Sequence, residues 1–208
     1  RLYETIRPFI DNLNRQNNPS QKYSEDKNLL VNADFSEPYT VGWTRIDGLD
    51  TNVLRRVETK NASVLLTYTG SGSKNPQLIL EQKISTNPNK LKKLVFQSEA
   101  WLKSRQGKEF GHIILDLLDN QDKRIAGFVW TDDTYYEVPQ NTVKKLLSPN
   151  SINEINAHLF NEIQGNTPRK LIEKIEKIRV SFKIQPPAKT DCRRCTLQIK
   201  NIQLTEKQ

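Results

Sequence analysis

Cysteine and histidine are nearly absent from this chain: 208 residues include only Cys192, Cys195, His112 and His158. The two cysteines form a C-x-x-C pair, half of many zinc sites, but neither histidine belongs to a His-x-x-His type cluster that would complete one. A redox motif is excluded by context, because such a pair opens a helix after a strand, whereas Cys195 begins an alternating strand pattern. A local disulfide or two free thiols remain.

Long apolar runs are also missing. None approaches the roughly 18 to 20 residues that a membrane helix requires, so no membrane span is expected. The chain begins at Arg1 rather than Met. It is expected to be a processed or excised piece, so that any upstream signal or anchor would lie outside the sequence.

Catalytic motifs are lacking as well. There is no G-x-S-x-G, no phosphate-gripping glycine loop and no H-E-x-x-H, and the cysteine pair has no identifiable histidine partner. Asp132 and Asp133 are adjacent acids, but neighbours on a strand point to opposite faces, and paired acids of this kind decorate turns. No enzymatic activity is expected.

Positive charge is abundant: the net charge is +8 and the pI about 9.4. Clustered cations would attract polyanions or anionic membranes. Here Lys and Arg are mixed with acids, as in Lys170-Leu171-Ile172-Glu173-Lys174, and no nucleic-acid motif accompanies them. A nucleic-acid partner is not expected.

Residues 1–14 place Leu2, Ile6, Phe9, Ile10 and Leu13 on one helical stripe, predicting a short amphipathic helix, followed by a polar linker up to Asn28. These first 27 residues form an appendage to a single domain over 28–208. From Asn28 onward, short alternating apolar segments are separated by Gly, Pro, Asn and Asp, the pattern of antiparallel strands. Strands are predicted at Asn28 to Asn32, Val53 to Thr59, Ala62 to Thr67, Gln77 to Ile84, Leu91 to Lys103, Gly111 to Asp119, Arg124 to Trp130, Lys177 to Ile184 and Cys195 to Thr205.

Alternation assigns the faces, since side chains two apart share a side. Leu94, Phe96, Ser98, Ala100 and Leu102 point into the core, and Val95, Gln97, Glu99, Trp101 and Lys103 point away. Ile178, Val180, Phe182 and Ile184 form a second core-facing set. Ser151 to Gln164 carries Ile152, Ile155, Leu159 and Ile163 at helical spacing, predicting a helical insertion within about residues 140–170.

The opening Asn28-Leu29-Leu30-Val31-Asn32-Ala33-Asp34-Phe35-Ser36-Glu37, then Val41-Gly42-Trp43, resembles the start of galactose-binding-like domains and jelly-roll carbohydrate-binding modules. Phe96 to Lys103, Ile113 to Asp122 and the closing Cys195 to Leu204 follow in the family's order. The resemblance implies a mainly β, antiparallel jelly-roll sandwich with a short N-terminal helix and a helical insertion. Leu29 and Val31 are expected to alternate into the core, Phe35 to cap it and Trp43 to seal its edge as a structural residue. The resemblance also implies a structural calcium between the opening loop and the closing strand. Ser36 and Asn201 stand where the family often has acids, leaving Asp34, Glu37 and Asn201 as oxygen donors. Hard cations need several such ligands, so a tightly held ion is not favoured and no cofactor is expected.

Sugar binding needs an aromatic ring and hydrogen-bonding groups on one surface. With the strands of Trp101 and His112 read as hairpin neighbours across the short Ser104 to Lys108 connection, Gln97, Glu99, Trp101, His112 and Asp116 form one polar patch on the concave sheet. Trp130 and Tyr135, with Tyr136, add aromatic walls. Two functions fit: an extracytoplasmic or cell-surface glycan-binding module, or a jelly-roll adaptor that binds a protein, as the soluble part of a membrane-tethered assembly. The N-terminal stripe and the insertion favour the adaptor. The patch favours the module.

Overall fold

The structure, a computed structural model, describes residues 27–48, 54–60, 62–71, 77–104, 110–186 and 191–207. The expected N-terminal helix and linker, and most of the connection after Ser104, lie outside the described residues. Among the described residues, eleven strands form two sheets around one core. In chain order they are β1 (Thr44–Asp47), β2 (Leu54–Thr59), β3 (Ser63–Ser71), β4 (Leu78–Ser85), β5 (Leu94–Ser104), β6 (Gly111–Leu118), β7 (Arg124–Thr131), β8 (Thr142–Leu146), β9 (Ile152–His158), β10 (Lys177–Ile184) and β11 (Asp191–Glu206). The six-stranded sheet runs β1-β4-β10-β6-β7-β8, and the five-stranded sheet runs β2-β3-β11-β5-β9. All pairings are antiparallel except β7 with β8. The architecture is the expected mainly β sandwich.

The alternating sequences build this arrangement directly. Ile178, Val180, Phe182 and Ile184 of β10 are fully buried, as are Ile113, Leu115 and Leu117 of β6 beside them. From the other sheet, Leu94, Phe96, Ala100 and Leu102 of β5 meet the same core as Leu197 and Ile199 of β11. Each large side chain so buried contributes roughly 2 kcal/mol by removal of apolar surface from water. Asn87 starts a short helix, α1 (Pro88–Leu91), by accepting hydrogen bonds from the Asn89 and Lys90 amides, with Pro88 in its first turn. That turn delays β5 to Leu94.

The opening segment is not a strand. Leu30 is buried and Val31 is 55% exposed, the reverse of the expected alternation for Val31. The cause is Gln82, a buried amide of β4. Its Oε1 accepts from the Val31 amide at 2.8 Å, and its Nε2 donates to the Val31 and Gly42 carbonyls at 3.0 and 2.8 Å. A side chain thus satisfies the backbone that a strand partner would otherwise hold. Gly42 is left-handed at φ +83°, and a Cβ there would lie 2.9 Å from both Gln82 and Val31. Phe35 and Trp43 are buried as expected. Trp43 stacks on Phe182 at 5.3 Å and donates its indole N–H to the Val31 carbonyl at 3.1 Å.

The helix expected from Ser151 to Gln164 is mostly strand. Residues Ile152–His158 form β9, which covers the free edge of β5, and only α2 (Leu159–Ile163) is helical before α3 (Arg169–Ile172). Ile155 and Ala157 face the core at strand spacing while Ile152 is 70% exposed. An open sheet edge decided between the two periods, because pairing satisfies the backbone of both strands. Strands β1 and β8, absent from the sequence prediction, fill the two ends of the six-stranded sheet.

Candidate functional site

The predicted patch divides between the two sheets. Strand β5 pairs with β11 on one side and β9 on the other, so both its edges are taken, while β6 pairs with β10 and β7. The segment joining β5 to β6 therefore crosses between sheets instead of closing a hairpin. Gln97, Glu99 and Trp101 lie on the outer face of the five-stranded sheet, and His112 and Asp116 on the outer face of the six-stranded sheet. Trp130 belongs to neither. It is 3% exposed, pairs with core-facing Ile113 and packs against Phe96 and Phe128 at 5.7 and 5.6 Å. Tyr135, 88% exposed, follows β7 in a turn where its amide donates to the Asp133 carboxylate at 2.9 Å.

The outer face of the five-stranded sheet is ordered in rows set by register. One row reads Arg56, Thr67, Thr196, Lys103 across β2, β3, β11 and β5. The next reads Glu58, Leu65, Gln198, Trp101, Ile152, ending on β9. A third contains Ser63, Lys200, Glu99 and Glu154. Trp101 is half-buried near the middle of this face, with the Lys103 ammonium 5.5 Å from its ring centre. A groove lies on each side. One, of about 360 Å³, is lined by Glu99, Trp101, Asn150, Ser151, Gln198 and Lys200 among others. The other, of about 270 Å³, is lined by Leu65, Trp101, Lys103, Arg194, Thr196 and Gln198. Gln198 is shared by both and Glu99 accepts a hydrogen bond from the Asn201 amide at 2.5 Å. Gln198 and Thr196 were findable from the sequence: they are the outward set of the closing strand, complementary to buried Leu197 and Ile199.

The six-stranded sheet carries a closed polar network instead. Asp116 receives Arg124 Nε at 2.8 Å on one oxygen and Arg179 at 2.6 Å on the other. Arg124 continues to the Gln140 carbonyl at 2.9 Å and the Thr142 hydroxyl at 2.5 Å. Lys144 Nζ donates to the Thr134 and Tyr136 carbonyls at 2.7 and 2.8 Å, strapping the segment after β7 over this face. Tyr136 lands 4.4 Å from His112, ring centre to ring centre. His112 is 2% exposed, and its Nδ1 has no hydrogen-bond partner among the described residues. Burial, helped by the charges of Lys183 and Lys144, pushes His112 down to about 3. Burial likewise lowers Lys183, its cross-strand partner.

The remaining candidates have structural roles. Asp132 Oδ1 accepts the Phe110 and Gly111 amides, both at 2.9 Å, and fastens the start of β6. Asp34 accepts from the Ser36 amide and hydroxyl, and the Asn32 amide group donates to the Glu37, Pro38 and Val41 carbonyls. Among the described residues, no three His, Cys, Asp or Glu side chains gather as a metal site. Cys195 is disulfide-bonded, and Cys192 is the one other cysteine in the sequence. A register shift between these two residues bulges β11.

No protein-family model matches the sequence, and no curated protein matches it. Solved structures do share the fold. A structure described under CBM4 structure and function is 12% identical, with 86% of this chain and 99% of that one covered at a TM-score of 0.50. The family GH12 endoglucanase 3 of Trichoderma harzianum is 11% identical, with 80% and 91% covered and a TM-score of 0.51. A structure from work on promiscuous carbohydrate-binding modules of the β-sandwich superfamily is 14% identical at a TM-score of 0.49, and the chain spans 62% of its length. The fold thus resembles that of a carbohydrate-binding module, and a glycoside hydrolase also shares it. No helix among the described residues is long and apolar enough to cross a membrane.

Proposed function

We propose that the chain is a non-catalytic glycan-binding module with Trp101 as its sugar platform. The observation that carries this is the half-buried Trp101 ring between two grooves, each supplied with hydrogen-bonding side chains and both lined by Gln198. A pyranose stacks its C–H face on an indole ring and satisfies its hydroxyls with the amides, hydroxyls and charges around it. Likeness of fold to carbohydrate-binding modules supports the same reading. An extracytoplasmic or cell-surface location suits such a partner.

The disposition of the acids supports a non-catalytic role. Both oxygens of Asp116 are held by guanidinium groups. Glu99 and Glu154 are cross-strand neighbours beside Trp101, but Glu99 is bound by Asn201 and Glu154 is exposed on an edge strand.

Affinity electrophoresis of the full chain through gels containing soluble polysaccharides tests the assignment. Trp101→Ala is expected to abolish retardation while the melting temperature stays within a few degrees. Unchanged retardation in that variant would remove Trp101 from the site, and loss on Tyr135→Ala instead would move the site to the six-stranded sheet. A second reading, a protein-binding adaptor, draws on Leu146 and Ile152, exposed by 61% and 70% and lining one groove of about 360 Å³. A stable complex on gel filtration without any glycan would favour it.

A further inference from the structure

We infer that the glycan recognised at Trp101 is acidic, carrying a carboxylate on the sugar that occupies the groove beside Lys103 and Arg194. The inference rests on Trp101 being the sugar platform and adds the chemical class of the ligand. Its basis is the unequal charge of the two grooves that flank the ring. Among the described residues, the groove of about 270 Å³ is lined by two cations, Lys103 and Arg194, and by no acid. The opposite groove pairs Lys200 with Glu99, and Glu99 already accepts the Asn201 amide. One side of the platform is therefore cationic and the other balanced.

Register strengthens the asymmetry. The row that borders Trp101 on the cationic side is Arg56, Thr67, Thr196, Lys103. Two hydroxyl-bearing residues are thereby bracketed by two long cations across adjacent strands, spaced roughly 5 Å apart. No carboxylate stands in that row. Arg56, on β2, pairs with Glu58 at 4.0 Å and does not line the groove, so the cations beside Trp101 are Lys103 and Arg194, which precedes β11's alternating stretch with its side chain exposed. Among the described residues Lys103 forms no ion pair; its ammonium lies over the Trp101 ring instead. A cation resting on a ring face is held by the ring's quadrupole. A sugar stacking on the ring would displace it sideways, where its charge faces the bound ring.

A uronic acid satisfies every element at once. Its ring stacks on Trp101, its hydroxyls meet Gln198 and Thr196, and its carboxylate meets Lys103 and the forked donors of Arg194. A neutral hexose would leave the two cations without a counter-charge. Because these cations are exposed, the attraction is expected to fall with salt as the screening length shortens.

The experiment is affinity electrophoresis and titration calorimetry of the full chain with polygalacturonate and, separately, a neutral mixed-linked β-1,3-1,4-glucan, at about 20 mM and about 300 mM salt, ionic strengths on either side of strong screening. The expected result is polygalacturonate binding that weakens at least about tenfold in Lys103→Gln and in Arg194→Gln, and again with salt. Lys170→Gln, an exposed lysine on α3, should leave it unchanged. An equal loss with Lys170→Gln would reduce the effect to net charge and overturn the inference. Preferential binding of the neutral glucan, abolished by Trp101→Ala but indifferent to Lys103→Gln and Arg194→Gln, would overturn the acidic class while leaving Trp101 as the platform. Indifference of both glycans to Trp101→Ala would sink both.

Discussion

Asn28 and Leu204, 176 residues apart, are joined side chain to backbone: the Leu204 amide donates to Asn28 Oδ1 at 3.0 Å. The Asn28 Nδ2 donates to the Ile202 carbonyl at 2.8 Å, and the Leu29 amide returns to the Leu204 carbonyl at 2.8 Å. One carboxamide thus ties the opening segment to the closing strand. Asn28→Ala leaves a backbone donor and acceptor without their partner, and such groups cost about 1 to 3 kcal/mol when buried. Urea unfolding is expected to show a loss of about 2 kcal/mol with an unchanged m-value.

His112 predicts an acid-labile fold. Its native value is about 3 against an ordinary value of 6.5, so below pH 6.5 the unfolded chain takes up a proton that the native chain refuses. Stability from this group is complete above pH 6.5 and falls as the pH drops towards 3. At pH 5 the loss is about 2 kcal/mol, from 1.36 kcal/mol per unit. His112→Phe, which keeps a ring against Tyr136, should flatten that part of the profile. Chemical unfolding at pH 7.5 and pH 5 measures it, and an equally steep profile in the variant would count against His112 as its source.

Asp116 should matter for stability and little for ligand binding. Asp116→Asn keeps the shape but removes the charge that holds Arg124 and Arg179. Breaking a buried pair costs about 3 to 5 kcal/mol. Arg179 is 34% exposed and can turn to solvent, so a loss of about 2 kcal/mol is expected. Thermal melting and glycan retardation, measured together, separate the two effects.

Gly127 sits where β7 crosses close to β6. A Cβ there would approach the Leu115 carbonyl oxygen to 2.5 Å and the Arg124 guanidinium to 2.7 Å. The arginine can move; the carbonyl belongs to a paired strand and cannot. Gly127→Ala is expected to destabilise by about 2 kcal/mol, within the range for overpacking, and to lower the melting temperature by several degrees.

The alternation in Leu94 to Lys103 and in Lys177 to Ile184 was sufficient to assign the core, because a period of two places every second side chain on one face whatever the strand pairs with. For the same reason Trp101, Gln97 and Glu99 were correctly put on one outward face, and Trp43 in the core edge. Alternation carries no information about partners. The separation of His112 and Asp116 from Trp101 came from β11 and β9 occupying both edges of β5, a long-range pairing with no local trace. Trp130 was misassigned because it lies in an almost uniformly buried strand, where the segment after β7 covers the outer face and erases the polar half of the pattern. Sequence therefore determined which side chains face inward in clearly alternating strands such as β5 and β10. Only the tertiary structure decided which outward faces coincide, because that depends on which backbone edges remain free to pair, and so it alone gathered Trp101, Gln198, Lys103 and Arg194 on one surface.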